Sequence, residues 1–355
     1  MPPILMAESA TAASAATPTG SPILSVRDLK TYFHLDEGLI RAVDGVSFDL
    51  QPGRTLGIVG ESGCGKSITA RSILGIVDRP GRLEGGEIWL EREGAGGARE
   101  RIDLAALPAE GPAMRAIRGK EIALVFQEPM ASFSHYYTVG NQIIESIRLH
   151  SDASKSEARN RAIELLRMVG VPRPERRVDE YPFQLSGGLR QRVMVAMALA
   201  CDPRILIADE PTTALDVTTQ AQVLELLTSI QEQRGLALIL ITHDMGVIAE
   251  MADDVVVMYL GRAVEKGPVD DIFHDPKHPY TRSLLRSIPN IMATPRSKLA
   301  TISGSIPHPF ARPPGCPFHP RCGDFMAGVC DASMPQPLAL AEGREVSCFL
   351  YGPRA

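Results

Sequence analysis

A glycine-rich loop between an apolar strand and a helix is the part of the sequence best suited to chemistry. The loop residues are Gly60, Glu61, Ser62, Gly63, Cys64, Gly65, Lys66 and Ser67. The glycines let backbone N–H groups turn inward around an anion, and the helix that follows adds the positive end of its dipole. In such a loop the lysine reaches the β- and γ-phosphates, and the serine hydroxyl holds Mg²⁺. The pattern therefore predicts a nucleoside triphosphate site. A glycine-rich turn without a ligand is the alternative.

A second helix start with glycines lies far along the chain. It consists of Ser186, Gly187 and Gly188, with Gln191 one turn further on. A serine and two glycines at a helix N-terminus form another anion site, made of backbone N–H groups and a hydroxyl. One nucleotide seldom needs two such helix starts. We therefore expect the second one to contact a nucleotide that is bound by another protomer.

Two carboxylates and a histidine follow predicted buried strands. Residues 205–208 form an apolar run that ends in Asp209 and Glu210, and residues 236–241 form another that leads to His243. Carboxylates at the carboxyl end of a strand suit metal–phosphate chemistry, since one supports Mg²⁺ and the other polarises the attacking water. A lone histidine at a strand end is usually incidental. Here its strand should lie beside the carboxylate strand, which favours a contact with the γ-phosphate.

The surrounding elements alternate between strands and helices. Residues 23–33 and 42–50 each predict a strand, residues 66–74 predict a helix, and residues 91–111 predict a surface insertion between strands. Phe33, at the end of the first strand, could stack on adenine or simply pack against its neighbours. The elements therefore predict an α/β fold that positions the loop, the carboxylates and the histidine.

A helical stretch interrupts this alternation. Residues 139–169 carry an apolar stripe at helical spacing, and Ser154 and Glu157 have the spacing of a capping box. We expect a helical subdomain over about residues 128–200.

Composition and charge narrow the function classes. The chain has 355 residues, of which 44% are hydrophobic, enough for one large core and a smaller appendage. A net charge of −5 gives no overall electrostatic reason to bind nucleic acid. No apolar run approaches the length that spans a bilayer. The first 22 residues, rich in Ala, Thr, Ser and Pro, predict a disordered tail and no secretory signal.

In their order along the chain, these motifs resemble those of ABC transporter ATP-binding subunits, over about residues 23–273. The resemblance implies an ABC-type P-loop ATPase core with an antiparallel β subdomain and a helical subdomain, plus a small irregular C-terminal extension. It implies ATP and Mg²⁺ as cofactors, Phe33 as the adenine-stacking aromatic and Gln127 as a Mg²⁺-sensing residue that couples to the membrane subunits. It also implies that Ser186, Gly187 and Gly188 touch ATP on the opposite protomer. Asp216 then lies in the loop between protomers, Glu210 is the catalytic base and His243 is the γ-phosphate switch.

Within this family the chain is most similar to the oligopeptide/dipeptide importer type. The supporting strings are Phe-Gln-Glu-Pro-Met at residues 126–130 and His-Asp-Pro-Lys-His-Pro-Tyr-Thr at residues 274–281. The resemblance implies a nucleotide-binding domain over residues 23–272 and a C-terminal extension over residues 273–355. It implies a second, homologous but non-identical ATP-binding subunit, two transmembrane permease subunits and an extracytoplasmic solute-binding protein, with no nucleic acid. The expected location is the cytoplasmic face of the bacterial inner membrane.

The extension holds four of the six cysteines: Cys316, Cys322, Cys330 and Cys348. In a reducing compartment such thiols suggest a metal centre rather than disulfides, but close Cys-x-x-Cys pairs are absent. The resemblance implies a [4Fe–4S] cluster held by these four residues. Zinc and small buried thiols without a metal are the alternatives. We expect the metal to organise the extension and the phosphate loop to be independent of it.

Other functions stay open at this point. A soluble ABC-type ATPase in DNA maintenance would need a coiled-coil or zinc insertion, or a basic face. Within transport, the cargo could be a peptide, an opine, an oligosaccharide or a nickel complex.

Overall fold

The computed structural model describes residues 20–93, 99–213, 215–288 and 302–352. Nearly all of the expected disordered tail, residues 1–22, lies outside these ranges. The strands are β1 Leu24–Leu35, β2 Gly38–Leu50, β3 Thr55–Val59, β4 Gly81–Glu93, β5 Arg99–Asp103, β6 Ile122–Val125, β7 Ile205–Asp209, β8 Ala237–Thr242, β9 Asp254–Tyr259, β10 Arg262–Pro268, β11 Leu338–Ala341 and β12 Arg344–Val346. The α-helices are α1 Lys66–Ile73, α2 Pro112–Ile117, α3 Pro129–Ser132, α4 Val139–His150, α5 Lys155–Met168, α6 Pro174–Arg177, α7 Gly187–Ala198, α8 Val217–Arg234, α9 Met245–Met251, α10 Val269–His274 and α11 Pro279–Arg286.

The first sheet is antiparallel and has the order β2-β1-β4-β5. Strands β1 and β2 form a hairpin that closes at the pair Leu35 and Gly38. The prediction of a surface insertion over residues 91–111 is wrong in part. Strand β4 continues to Glu93, and β5 pairs with it in antiparallel register. This part of the chain therefore extends the sheet, because its polar side chains occupy an edge strand rather than a loop.

The second sheet runs β11-β12-β10-β9-β3-β8-β7-β6. Its central strands β9, β3, β8, β7 and β6 are parallel neighbours. Every residue of β3, β7 and β8 is buried, as expected for parallel strands that are covered on both faces. Because β3, β7 and β8 are parallel neighbours, the residues that follow them meet at one edge, where α/β sheets bind ligands.

Two apolar clusters cover the two faces of this sheet. On β8, Leu238 and Leu240 belong to the cluster that includes α4, α5 and α7. Ile239 and Ile241 belong to the cluster that includes the antiparallel sheet and α1. The alternation follows from the period of two along a strand.

The expected helical subdomain is built from α4 to α7. Ser154 and Glu157 form the capping box at the start of α5, with the two reciprocal hydrogen bonds present. Buried residues of α5 then pack against α4 and α7. The start of α5 follows from this local capping, which is why the sequence predicted it.

The C-terminal extension packs directly against the main sheet. Strand β12 pairs with β10 in antiparallel register, and β11 pairs with β12. The ring of Phe318 lies 5.2 Å from the ring of Tyr259 at the end of β9 and 5.3 Å from that of Tyr280 in α11. The extension therefore shares the hydrophobic core of the cassette. None of the described helices has the length and apolar character needed to cross a membrane.

Candidate active site

The phosphate loop follows β3 directly and leads into α1. Gly60 and Gly65 both have positive φ, 150° and 102°. A Cβ at Gly60 would lie 2.2 Å from the carbonyl oxygen of Met258, and one at Gly65 would lie 2.1 Å from that of Ala42. Any other residue at these positions would collide with backbone, so the loop conformation depends on glycine.

Lys66 is buried at the start of α1. Its Nζ donates hydrogen bonds to the carbonyl oxygens of Gly60, at 2.8 Å, and Glu61, at 3.2 Å. The ammonium is thus held inside the loop by neutral acceptors. It lies at the N-terminus of α1, where the sequence predicts a phosphate site.

The oxygen ligands expected for Mg²⁺ lie together. The Ser67 hydroxyl donates to Oδ1 of Asp209 at 2.9 Å. Burial raises the pKa of Asp209, and the hydrogen bond from Ser67 opposes this shift. A buried carboxylate that carries its charge requires a cation partner. Hydroxyl and carboxylate oxygens are hard ligands suited to Mg²⁺, so this pair fits the ion that the phosphates would bring.

Glu210 lies at the carboxyl end of β7, where its carboxylate accepts two hydrogen bonds and lies near a histidine. Its Oε2 accepts hydrogen bonds from Nε2 of Gln127 and from the hydroxyl of Thr213, both at 2.9 Å. Its Oε1 lies 3.4 Å from Nδ1 of His243. The carboxylate is 11% exposed, whereas the His243 ring is 62% exposed. The structure therefore brings Gln127, Glu210 and His243 together, and β8 does lie beside β7 as predicted.

Gln127 and Glu210 share one cavity of about 690 Å³ with the phosphate loop, whereas His243 is not among its lining residues. Its lining includes Gly63, Gly65, Lys66, Ser67, Gln127 and Glu210. The predicted groups for binding phosphate and for polarising water thus face the same space.

The second glycine-containing helix start does not line this cavity. Ser186 caps α7 by accepting a hydrogen bond from the Leu189 N–H. Asp216 caps α8 and accepts from both the N–H and the hydroxyl of Thr219. A Cβ at Gly188 would lie 2.7 Å from Cγ2 of the same Thr219. The N-termini of α7 and α8 are therefore neighbours, and their contact with ATP stays a prediction.

Two other predicted ATP contacts lie away from the cavity. Gln191 is buried in α7, and its Nε2 has no hydrogen-bond partner among the described residues. Phe33 is also absent from the cavity lining. Its ring lies over Gly81 of β4, where a Cβ would come within 2.7 Å of Cε1. The role of Phe33 in adenine stacking stays a prediction.

The C-terminal extension supplies contacts that the sequence did not indicate. His308, Phe310 and Arg312 line the same cavity as Lys66. Arg321, whose side chain is buried, makes a two-point ion pair with Glu61 in the phosphate loop, at 2.7 and 3.0 Å. The expectation of a phosphate loop independent of the extension is therefore wrong. No spacing or motif signals these pairs, because the partners lie more than 250 positions apart.

The predicted iron–sulfur cluster is not supported. Cys316, Cys322, Cys330 and Cys348 do line one small cavity of about 20 Å³, but all four are free thiols. Burial raises the pKa of Cys316 to about 12 and that of Cys348 to about 11. Within the described ranges, no group of three or more His, Cys, Asp or Glu could hold a metal ion. The [4Fe–4S] prediction is therefore wrong, because the four cysteines form no metal-binding group among the described residues.

Comparisons with known proteins agree with this geometry. Residues 43–213 match the family model for the ABC transporter, and residues 264–330 match the C-terminal region of the oligopeptide/dipeptide transporter. The oligopeptide transport ATP-binding protein AppD of Bacillus subtilis (strain 168) is 49% identical over 332 residues, 93% of this chain and 97% of that protein. The dipeptide transport ATP-binding protein DppD of Haemophilus influenzae is 45% identical over 326 residues, 92% of this chain and 94% of that protein. Among solved structures, the dimeric bacterial ABC transporter cassette MJ0796 superposes with a TM-score of 0.60 and 27% identity, over 69% of this chain and 98% of that one.

The fold and the site define a P-loop ATPase with the architecture of an ATP-binding cassette. A buried lysine in a glycine loop faces a strand-end glutamate across one cavity, and the helical subdomain carries the second glycine-containing helix start. The chain belongs to the ATP-binding proteins of ABC transporters, of the oligopeptide/dipeptide type. Its activity is ATP hydrolysis coupled to transport.

Proposed function

We propose that this chain is the ATP-hydrolysing subunit of a peptide importer. The observation that carries the proposal is that Glu210 lines the same cavity as Lys66 and Ser67. The cargo is supported by the relatives, which are named for oligopeptide and dipeptide transport. These relatives give no support to an opine, an oligosaccharide or a nickel complex. An ATPase of DNA maintenance is not favoured, because the chain belongs to a transporter family.

In the proposed reaction, Lys66 holds the β- and γ-phosphates, and Glu210 accepts a hydrogen bond from the attacking water. Gln127 and Thr213 both donate to Oε2 of Glu210, which leaves Oε1 for the water. His243 lies on the Oε1 side, where its exposed ring can reach the γ-phosphate. Ser67 and Asp209 would hold Mg²⁺. A bound Mg²⁺ ion would neutralise the negative charge that develops on the phosphate oxygens.

A second ATP-binding subunit completes the site in this proposal. Ser186, Gly187 and Asp216 are exposed and lie outside the lining of the cavity. The hydroxyl and N–H groups at the start of α7 then have no anion to bind within their own protomer. We propose that they bind the ATP of a homologous, non-identical partner, with Gly188 allowing close approach. The related cassette MJ0796 is described as dimeric, which supports this arrangement.

An aromatic and apolar surface on the helical subdomain suits the membrane subunits. Tyr136 is 88% exposed just before α4. A groove beside it is lined by Tyr137, Asn141, Ile144, Glu145, Arg148 and Leu149. Gln127, close in sequence, contacts the catalytic glutamate. We propose that two transmembrane permease subunits dock here, which would place the protein on the cytoplasmic face of the bacterial inner membrane. An extracytoplasmic binding protein would then deliver the peptide.

The test uses the assembled transporter in lipid vesicles together with its solute-binding protein. We expect phosphate release to rise when the binding protein carries a dipeptide or an oligopeptide. The same protein mixed with an opine, an oligosaccharide or a nickel complex should give the basal rate. A Lys66→Ala assembly serves as the control for hydrolysis by this chain. Stimulation by one of the other three cargos and not by peptides would overturn the cargo assignment.

A further inference from the structure

A segment of the C-terminal extension forms one wall of the ATP cavity. We call residues 308–312 the C-terminal wall. His308, Pro309, Phe310 and Arg312 all line the cavity that contains Lys66. Leu39, Ile40, Arg41 and Ala42 of strand β2 line the same cavity. The cavity is therefore enclosed between the cassette and a segment that lies outside the cassette core.

The wall is held in place by a buried ion-pair cluster. Nη1 of Arg312 lies 2.8 Å from Oδ2 of Asp44 in β2. The same carboxylate accepts hydrogen bonds from Arg262, at 3.0 Å, and from the Tyr32 hydroxyl, at 2.7 Å. Because Asp44 is buried, its carboxylate requires cationic partners, and Arg312 is one of the two arginines that supply them. Arg312 thus ties the wall to the strand that lines the cavity.

Strand β2 contacts both the phosphate loop and the C-terminal wall. Ala42 touches the loop, since a Cβ at Gly65 would lie 2.1 Å from its carbonyl oxygen. Gly38 touches the wall, since a Cβ there would lie 3.3 Å from Cδ1 of Phe310. Four residues of extended strand separate the two contacts, roughly 13 Å. When the phosphates of a nucleoside triphosphate lie at Lys66, this distance along β2 is available for the nucleoside.

The far end of the cavity is suited to a flat aromatic base. The rings of His308 and Phe310 stack at 5.4 Å with an interplanar angle of 30°. Leu39 and Ile40 lie in the same lining, and Phe310 is 39% exposed. Nε and Nη2 of Arg312 are buried and have no hydrogen-bond partner within the described residues. These two nitrogens are enclosed by protein atoms, so the stacked rings rather than Arg312 are the groups that face a ligand.

We propose that the C-terminal wall recognises the nucleoside of ATP. His308 and Phe310 pack on the base and ribose, while Arg312 fixes the wall to Asp44. The proposal rests on the phosphates binding at Lys66. It makes the extension a part of the nucleotide site in the same chain, so that ATP binding and docking of the wall favour each other.

The experiment compares ATP with inorganic tripolyphosphate, which has phosphates and no nucleoside. The full-length chain is titrated with each ligand by calorimetry, as wild type and as Phe310→Ala. We expect the variant to lose about 3- to 10-fold in ATP affinity, the range of one aromatic stacking contact. Its affinity for tripolyphosphate should stay unchanged. Phe310→Leu, which keeps apolar volume, should fold normally and show the same selective loss.

Phe325→Ala is the matched control. Its ring is 43% exposed, lies in the same extension and is likewise paired with a histidine, His319. The control should bind both ligands like wild type. Equal losses for ATP and tripolyphosphate in Phe310→Ala, or no loss for either, would overturn the proposal. Lys66→Ala should weaken both ligands, and its failure to do so would contradict the phosphate site itself rather than the wall.

Discussion

At the scale of single residues, the backbone of Glu210 accounts for the placement of its carboxylate. Glu210 has φ of 47°, a left-handed conformation that costs a non-glycine residue about 1 to 3 kcal/mol. Its N–H donates to the carbonyl of Ile241 in β8 at 2.8 Å, which holds this conformation. The side chain can then receive Gln127 and Thr213 on Oε2. Strain at this position is thus coupled to the orientation of the carboxylate that we propose as the catalytic base.

Glu210→Gln should abolish turnover and leave ATP binding intact. The amide keeps the shape but is a much weaker acceptor for the attacking water, and loss of such a group costs about 10²- to 10⁴-fold in rate. The measurement is phosphate release by the assembled transporter, with ATP affinity measured in parallel. Glu225→Gln, at an exposed position of α8, is the control. Hydrolysis near the wild-type rate would remove Glu210 from the catalytic role.

At the scale of elements, helix α11 starts with a buried histidine as its cap. Nδ1 of His278 accepts the Tyr280 N–H at 3.1 Å, and the His278 N–H donates to Glu265 at 2.9 Å. Burial lowers the pKa of His278 from 6.5 to about 3, and the charge of Arg282 acts in the same direction. The imidazole is therefore neutral in the fold and acts as an acceptor. Helix α11, which joins cassette and extension, thus begins at an imidazole that must stay neutral to accept this hydrogen bond.

The depressed pKa of His278 predicts acid sensitivity between pH 6.5 and pH 3. The unfolded chain binds a proton near pH 6.5 and the folded chain only near pH 3, so stability is complete above the higher value and falls as the pH decreases. From pH 7 to pH 5 this one group should lower the free energy of unfolding by about 2 kcal/mol. Urea unfolding at the two pH values measures the change.

His278→Asn is the matched variant for this measurement, because asparagine keeps a cap acceptor and does not titrate. Its absolute stability should be lower, since the smaller side chain leaves space in the core. Its loss between pH 7 and pH 5 should be smaller than that of wild type by about 2 kcal/mol. An identical loss in the two proteins would show that His278 is not the group responsible.

At the scale of the whole molecule, the extension braces the nucleotide site from two sides. Arg312 pairs with Asp44 on β2, and Arg321 pairs with Glu61 in the phosphate loop. Arg321 also donates to the carbonyl of Ser303 and to the Tyr259 hydroxyl. Hydrogen bonding to Glu61 raises the pKa of Arg321 further above its usual range, so the guanidinium stays charged. Cassette and extension are therefore one unit around the ATP cavity.

Arg321→Met should destabilise the protein by about 3 to 5 kcal/mol, the typical cost of leaving one member of a buried pair unpartnered. ATP affinity should also fall, because the phosphate loop loses its brace and keeps an uncompensated negative charge. Urea unfolding and ATP titration measure the two effects. Adding Glu61→Gln to Arg321→Met removes the unpaired charge and should recover part of the stability.

Arg286→Met, at an exposed position of α11, is the control for loss of an arginine. It should change stability by less than about 1 kcal/mol. If Arg321→Met cost no more than this control, or if Glu61→Gln restored nothing, the pair would not brace the phosphate loop.

The sequence by itself determined the parts of the protein that depend on neighbours in the chain. The strand and helix on either side of the phosphate loop, the strand that ends just before Glu210, the capping box of Ser154 and the helix start at Ser186 were all predicted correctly. Each depends on backbone geometry, hydrogen bonds or periodicity within a few residues, so its signal is contained in a short segment. The placement of His243 beside Glu210 followed because parallel strands align their carboxyl ends.

Only the tertiary structure determined the contacts between elements that are distant in sequence. It located Phe33 over Gly81, away from the ATP cavity, and it showed that four cysteines form no metal-binding group within the described residues. It also brought Arg321 to Glu61 across 260 positions and Arg312 to Asp44 across 268. Ion pairs of this kind depend on the burial and apposition of distant segments. These follow from the packing of the whole chain and leave no pattern in residue spacing.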